Sequence, residues 1–117
     1  MSKKKKEEAS VNYLDLIPKR AEELSWHVDV KNRVVLSVEN KGLFNHIAQK
    51  VFGKPKYTKV HLDQNGSFLW PLIDGERTVM DLAMLVKEEF GEKAEPLYPR
   101  IVKYFQIMES YHFIHFD

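Results

Sequence analysis

The chain has 117 residues, the length of one domain, and its hydrophobic (44%) and charged (30%) fractions allow an ordinary globular core. It contains no cysteine, which excludes disulfide bonds and thiolate metal sites. Its apolar runs are too short to cross a bilayer, and no apolar block follows the lysine-rich start. We therefore expect a cytoplasmic protein with no membrane segment, in which residues 1–10 are a disordered basic tail and residues 11–117 a single domain.

The charge is distributed unevenly, although the formal net charge is only +1. Residues 11–62 carry nine basic and five acidic side chains, whereas residues 63–117 carry five basic and ten acidic ones. A helix that reads DNA would come from the second, acidic half. Because phosphate contacts supply much of the affinity for duplex DNA, this half argues against specific binding of nucleic acid.

The first segment after the tail predicts an arm rather than a regular element. Residues 12–24 are apolar early and charged late, and Pro18 biases the residue before it toward an extended conformation. We expect an irregular arm that lays Tyr13, Leu14 and Ile17 on the body of the domain.

A β-hairpin is predicted next. Residues 25–30 alternate between apolar and polar side chains, residues 31–33 are a turn signal, and residues 33–39 are rich in β-branched side chains. The alternation places three apolar side chains on one face of the first strand, namely Trp26, Val28 and Val30.

A helix and a third strand follow. Apolar residues at helical spacing predict a helix over about 41–52, which Gly53 and Pro55 end. The segment YTKVHL, residues 57–62, alternates again and predicts a strand. Its inward side chains are Thr58, Val60 and Leu62, and its outward ones are Tyr57, Lys59 and His61.

A short helix is predicted between Asp63, which can cap its start, and the turn at Asp74-Gly75. Pro71 lies inside this helix and removes a backbone donor, so we expect a kink or a 3₁₀ turn there.

Two longer helices and a final strand complete the chain. Thr78 with Asp81 resembles a capping box, and Gly91 ends the helix that follows. The last helix covers about 96–110, and residues 111–116 predict a short strand. Strands that precede helices indicate an α+β fold. We expect one buried cluster, formed by Val60, Leu62, Leu69, Leu72, Val79, Leu82, Val86, Ile101 and Phe105.

No catalytic residue, metal or cofactor is predicted. His27 and His61 each face outward on a strand, and a shared metal site would need both on one face with a carboxylate such as Asp29. Ser67 lies in the segment QNGSF, which lacks the G-x-S-x-G spacing of a nucleophile elbow.

The strand YTKVHL is the feature best suited to binding, because an edge strand exposes unpaired N–H and C=O groups. Lys50, Lys54, Lys56 and Lys59 lie in or near it. Lysine at an edge protects against aggregation, or it attracts an acidic extended peptide that adds as a further strand. The residues leave both readings open. Strand addition requires that neither the helix at 41–52 nor the arm is already paired along this edge.

The second half of the chain resembles the PqqD-like family, which takes its name from a small protein of pyrroloquinoline quinone biosynthesis. The resemblance covers about residues 57–116. Its ordered features are Leu62-Asp63, Gly66, Trp70, Leu72, Asp74-Gly75, Thr78-Val79 and the ending Tyr111 to Phe116.

The resemblance implies a winged-helix-like fold, in which a small antiparallel sheet of three strands is followed by three helices. Here an extra helix is inserted between strands two and three. It also implies a non-catalytic recognition element for ribosomally made precursor peptides. In such domains the leader peptide adds a strand to the sheet edge and lies against the last helix. The domain presents it to a modifying enzyme, often a radical SAM protein.

On this chain the implied peptide contacts are Tyr57, Thr58, Lys59, Val60, His61, Arg100, Ile101 and Tyr104. Two alternatives remain open. The first is a winged-helix module that binds DNA or another protein, and the second is a structural homodimer through the same edge.

Overall fold

The computed structural model of the chain describes residues 13–39 and 57–116. The expected tail at 1–10 and the expected helix at 41–52 lie outside the described residues. The chain divides into two compact units. We call Glu22–Ser67 the sheet unit, and Met1–Ala21 with Phe68–Asp117 the helical unit.

Two antiparallel sheets and a set of helices make up the described part of the chain. The strands are β1 (Pro18–Arg20), β2 (Ser25–Val28), β3 (Val34–Glu39), β4 (Tyr57–His61) and β5 (Ile114–Phe116). The helices are α1 (Gln64–Leu69), α2 (Val79–Phe90) and α3 (Leu97–Ser110), with 3₁₀ turns at Trp70–Leu72 and Gly91–Ala94. The sheets have the strand orders β1-β5 and β2-β3-β4. The protein is α+β as predicted, and this element order is compatible with a winged-helix-like arrangement. None of the helices in the described ranges has the length and apolar character needed to cross a membrane.

The hairpin between β2 and β3 is closed by Asp29. Its Oδ1 atom accepts the backbone N–H groups of Lys31 and Arg33, both at 2.9 Å. Asn32 takes a positive φ of 64°, which asparagine tolerates in a turn. The bond from the Arg33 N–H is the largest cause that lowers the pKa of the Asp29 carboxyl.

Burial within the three-stranded sheet is concentrated on the central strand. Val34, Val35 and Leu36 of β3 are buried, because β2 and β4 flank them on both sides. On β4, Val60 is half-buried as expected of an inward position, but Thr58 is exposed. Thr58 shares the face of Val60, but the prediction that it is an inward, covered side chain is wrong. The reason is that a strand at the end of a sheet is covered less than a central one.

The arm is more regular than predicted. Pro18–Arg20 forms β1, which pairs with β5, and the ladder extends to a bond of 2.9 Å from Ala21 N–H to Phe113 O. Proline is compatible with this place because it is the first residue of its strand. Pro18 thus begins a strand instead of only breaking the chain.

Two aromatic rings pack together beside this two-stranded sheet. Tyr13 meets Phe116 edge to face, with ring centroids 5.5 Å apart. Burial, aided by the nearby charge of Glu109, raises the pKa of Tyr13 to about 12. Tyr13 therefore packs against β5 within the helical unit, which agrees with the prediction that it lies on the body of the domain.

The turns of the helical unit form where the sequence places them. Thr78 Oγ1 accepts the N–H of Asp81 at 3.0 Å, and the Asp81 carboxylate accepts the N–H of Thr78 at 3.0 Å, which completes the capping box. Gly91 ends α2 with a φ of 60°, and the segment around Pro71 is the expected 3₁₀ turn.

Six of the nine residues expected in the core are buried, namely Leu69, Val79, Leu82, Val86, Ile101 and Phe105. The other three, Val60, Leu62 and Leu72, are half-buried. The core also contains Trp70, whose side chain is fully buried in the helical unit. The prediction that all nine side chains are buried is therefore confirmed for six of them, and the other three are only partly covered.

Candidate functional site

β4 forms one end of the three-stranded sheet. It pairs with β3, and over residues 13–39 and 57–116 no strand pairs with its other side. The arm pairs with β5 instead. Within the described ranges, the arm is therefore not paired with this edge.

The register shows which backbone groups of β4 point to that edge. Leu62 N–H donates to Val34 O at 2.9 Å, so these two residues form a hydrogen-bonded pair. Such pairs alternate along an antiparallel ladder. The next ones are Leu36 with Val60 and Val38 with Thr58. It follows that the N–H and C=O groups of Tyr57, Lys59 and His61 point away from β3.

The other side of β3 gives an independent check on this assignment. Asp29 N–H donates to Arg33 O at 2.8 Å, so the alternation directs the backbone groups of Arg33, Val35 and Ser37 toward β2. The intervening residues of β3 then face β4, as the Val34 bond requires.

The side chains of the outward-pointing residues share one face of the sheet. Tyr57, Lys59 and His61 are all exposed, and they alternate with Val60, which lies on the opposite face. Lys59 stands opposite Ser37 on β3, and His61 stands opposite Val35. The edge thus has a polar face with a cationic centre and a face that bears the half-buried Val60.

The two histidines of the sheet lie in one row. His27 pairs with Val35 from β2, and His61 pairs with Val35 from β4, so both imidazoles are on the polar face. His61 also contributes to the lowered pKa of Asp29. Even so, no group of three His, Asp or Glu side chains in the described ranges has the arrangement of a metal site.

A cleft of about 500 Å³ lies where β4 ends, between His61 and the hairpin turn. Its two carboxylates already accept backbone bonds, Asp29 within the hairpin and Asp63 from the N–H of Gly66 at 2.7 Å. The remaining polar groups of the cleft are those of Lys31, Arg33 and His61. Because the charges of Asp29 and Asp63 offset those of Lys31 and Arg33, this end of the edge strand carries both signs.

The three predicted contacts on α3 belong to the helical unit and differ in exposure. Arg100 is exposed, and its guanidinium donates to Lys93 O at 2.9 Å. Ile101 is only 4% exposed, and Tyr104 is half-buried, edge to face with Phe105 at 5.1 Å. Of the three, Arg100 offers the most surface.

Two further residues of α3 are exposed, although neither is among the predicted peptide contacts. Lys103 and Ile107 follow Arg100 by three and seven residues, which places them on the same helix face. Ile107 is 44% exposed, which is high for a large apolar side chain in a helix. The sequence alone indicates that these residues share a face, because positions i, i+3, i+4 and i+7 repeat on one side of a helix.

A model of the family described as coenzyme PQQ synthesis protein D (PqqD) matches residues 33–114, more than two thirds of the chain. This match begins at β3 and ends in β5, so it is longer than the segment on which the resemblance was noted. Neither the curated proteins nor the solved structures gave a match. The strand order, the turns of the helical unit and the family match agree, and the chain belongs to the PqqD family.

Proposed function

We propose that the protein is a non-catalytic module that binds the leader segment of a ribosomally made precursor peptide. The segment docks as an added strand along β4 and is presented to a modifying enzyme. Family membership supports the role, because the PqqD family binds a precursor peptide and a partner enzyme in the synthesis of coenzyme PQQ.

The observation that carries the proposal is the outward direction of the backbone groups of Tyr57, Lys59 and His61. An added strand satisfies such groups through main-chain hydrogen bonds, which supply affinity for almost any sequence. Neighbouring side chains then supply selectivity. On β4 these side chains are exposed.

The proposal assigns Arg100, Ile101 and Tyr104 to the same peptide, on the strength of the family resemblance. Because these side chains differ in exposure, we assign them different roles in peptide binding. Arg100 contacts the peptide directly, whereas the buried Ile101 holds the helix face in place. The family resemblance makes a radical SAM protein the first modifying enzyme to test as the partner. The complex acts in the cytoplasm, where ribosomal precursors are made.

Calorimetry with candidate precursor peptides encoded near this gene tests the docking. Lys59→Pro removes an N–H that points to the edge, and proline is tolerated where the lost donor faces solvent. We expect the variant to stay folded by circular dichroism and to lose most of its affinity. The matched control Lys59→Ala keeps the N–H and removes only the ammonium group, so it should lose less affinity than Lys59→Pro. Failure of the wild-type protein to bind any peptide from its own genomic neighbourhood would overturn the proposal.

A homodimer through the same edge is the second candidate, because two β4 strands could pair with each other. A symmetric antiparallel pair centred on Lys59 would place the two lysines opposite each other, and like charges in that position destabilise a ladder. Sedimentation velocity separates the two candidates. A dimer that Lys59→Pro dissociates and that excludes the peptide would favour the homodimer.

A further inference from the structure

We infer that the β4 edge selects a peptide segment in which acidic and apolar residues alternate, with the acidic side chains on the face of Lys59 and the apolar ones on the face of Val60. This inference rests on the proposed function and adds the chemistry of the peptide that the edge accepts.

The pleat of the strand fixes this alternation. A strand added to β4 shares the pleat of the sheet, so its successive side chains point to opposite faces. Side chains opposite Lys59 and His61 join the polar face, and those opposite Val60 join the other face. A shift of one residue would exchange every side chain between the two faces.

On the polar face, the charge of Lys59 favours a carboxylate opposite the centre of β4. Lys59 stands opposite the neutral Ser37 and forms no ion pair with another residue of the described ranges. An acidic side chain on the incoming strand would lie directly beside its ammonium group. Opposite charges in this cross-strand position stabilise pairing.

The charges near this face single out Lys59 as the position that favours an acidic partner. At the His61 end of β4, Asp29 and Asp63 line the same cleft as Lys31 and Arg33, so the two signs balance there. At the beginning of β4, Glu39 stands opposite Tyr57. An acidic residue is therefore favoured opposite Lys59.

On the opposite face, the surroundings of Val60 favour an apolar side chain. Val60 is half-buried, and its partner on β3 is Leu36, which is fully buried. An aliphatic side chain on the added strand would cover the exposed part of Val60 and gain from the loss of apolar surface. A charged side chain in that place would lose part of its hydration beside these aliphatic side chains.

Three short synthetic peptides and the natural precursor test the inference by calorimetry. The first peptide alternates Glu and Val, the second has the same composition with all Glu residues before all Val residues, and the third alternates Lys and Val. We expect the alternating Glu/Val peptide to bind about tenfold more tightly than either of the others. Lys59→Gln should reduce the preference for Glu over Lys, whereas the matched change Lys93→Gln in the helical unit should leave it unaltered.

The possible outcomes separate this inference from the proposed function. Equal binding of the alternating and blocked Glu/Val peptides would overturn the inference, while docking would stand if the precursor still bound and Lys59→Pro abolished its binding. If the wild-type protein bound none of the synthetic peptides and no precursor, both the inference and the proposed function would be overturned. Retention of the full Glu preference in Lys59→Gln would also contradict the assigned role of Lys59.

Discussion

The hydroxyl group of Ser67 accepts a hydrogen bond from the backbone N–H of Val34 at 2.8 Å, although the two residues are far apart in the sequence. The same hydroxyl donates to the carbonyl of Leu62 at 3.2 Å. Val34 and Leu62 exchange only one direct ladder bond, from Leu62 N–H to Val34 O. Ser67 therefore supplies the second link and ties α1 to the end of the β3–β4 ladder.

Replacement of Ser67 by alanine should destabilise the protein by about 1–3 kcal/mol, because it leaves a part-buried N–H and a part-buried C=O without the hydroxyl. Chemical denaturation would measure the loss. Ser25→Ala, at an exposed position of β2, is the matched control and should change the free energy of unfolding by less than about 0.5 kcal/mol. An effect of Ser67→Ala as small as that of the control would show that the ladder closes without the hydroxyl.

Leu82→Ala should cost about 2–5 kcal/mol of unfolding free energy, because Leu82 is fully buried and the change leaves a cavity. Met84 lies on the same helix and is 43% exposed, so Met84→Ala is the control and should cost much less. A loss below about 1 kcal/mol for Leu82→Ala would contradict the packing of α2 described above.

Local signals were the part of the fold that the sequence could predict. The capping box at Thr78 and Asp81, the 3₁₀ turn at Pro71 and the turn at Gly91 depend on a few neighbouring residues, and the structure confirms all of them. β1 was missed because its partner β5 is almost the whole chain away. A three-residue strand carries too little alternation to be read without that partner.

The candidate site also has features that the sequence predicts and features that depend on distant residues. The sequence located YTKVHL as a strand, but it could not tell which of its N–H groups point outward. That depends on the register with β3, which is set by non-local bonds such as Leu62 N–H to Val34 O. The exposure of Thr58 was also beyond the sequence, since alternation gives the face of a residue and not how much of that face is covered.

Acid should weaken the hairpin through Asp29. Its pKa in the folded protein lies below the ordinary value of an aspartate, chiefly because its carboxylate accepts the Arg33 N–H. A lowered folded pKa means that the unfolded state binds the proton first as the pH falls. The stabilisation is therefore complete above about pH 4 and is lost as the pH falls through the lowered value.

Unfolding measured from neutral pH down to about pH 2 would reveal this dependence, and Asp29→Asn should flatten it in that range. Asp74 is a second source of acid sensitivity. Its carboxylate accepts the N–H groups of Arg77 and Glu76, and its pKa is lowered as well. Asp29→Asn should thus remove only part of the acid sensitivity. An unchanged pH profile would contradict the assignment.

Binding to duplex DNA should be weak and without sequence preference. α2 and α3 belong to the half of the chain that carries ten acidic and five basic side chains, and this half would have to approach the phosphates. Selection from a random duplex library at physiological salt is the direct measurement. Enrichment of one defined site would make the DNA-binding alternative the better account of the fold.

Reversal of the charge at the centre of β4 should affect an acidic peptide most strongly at low salt. Lys59 is exposed, so Lys59→Glu acts through a screened interaction that changes association more than dissociation. Raising the ionic strength from about 0.02 M to about 0.5 M shortens the screening length severalfold, and the affinity difference between the variant and the wild-type protein should shrink accordingly. Calorimetry at the two salt concentrations gives that difference, and Lys93→Glu, which makes the same change of charge in the helical unit, gives the contribution of net charge alone. A difference that persists undiminished at high salt would mean that Lys59 acts through close packing or through the strand itself, and the charge-based part of the peptide selection would then be wrong.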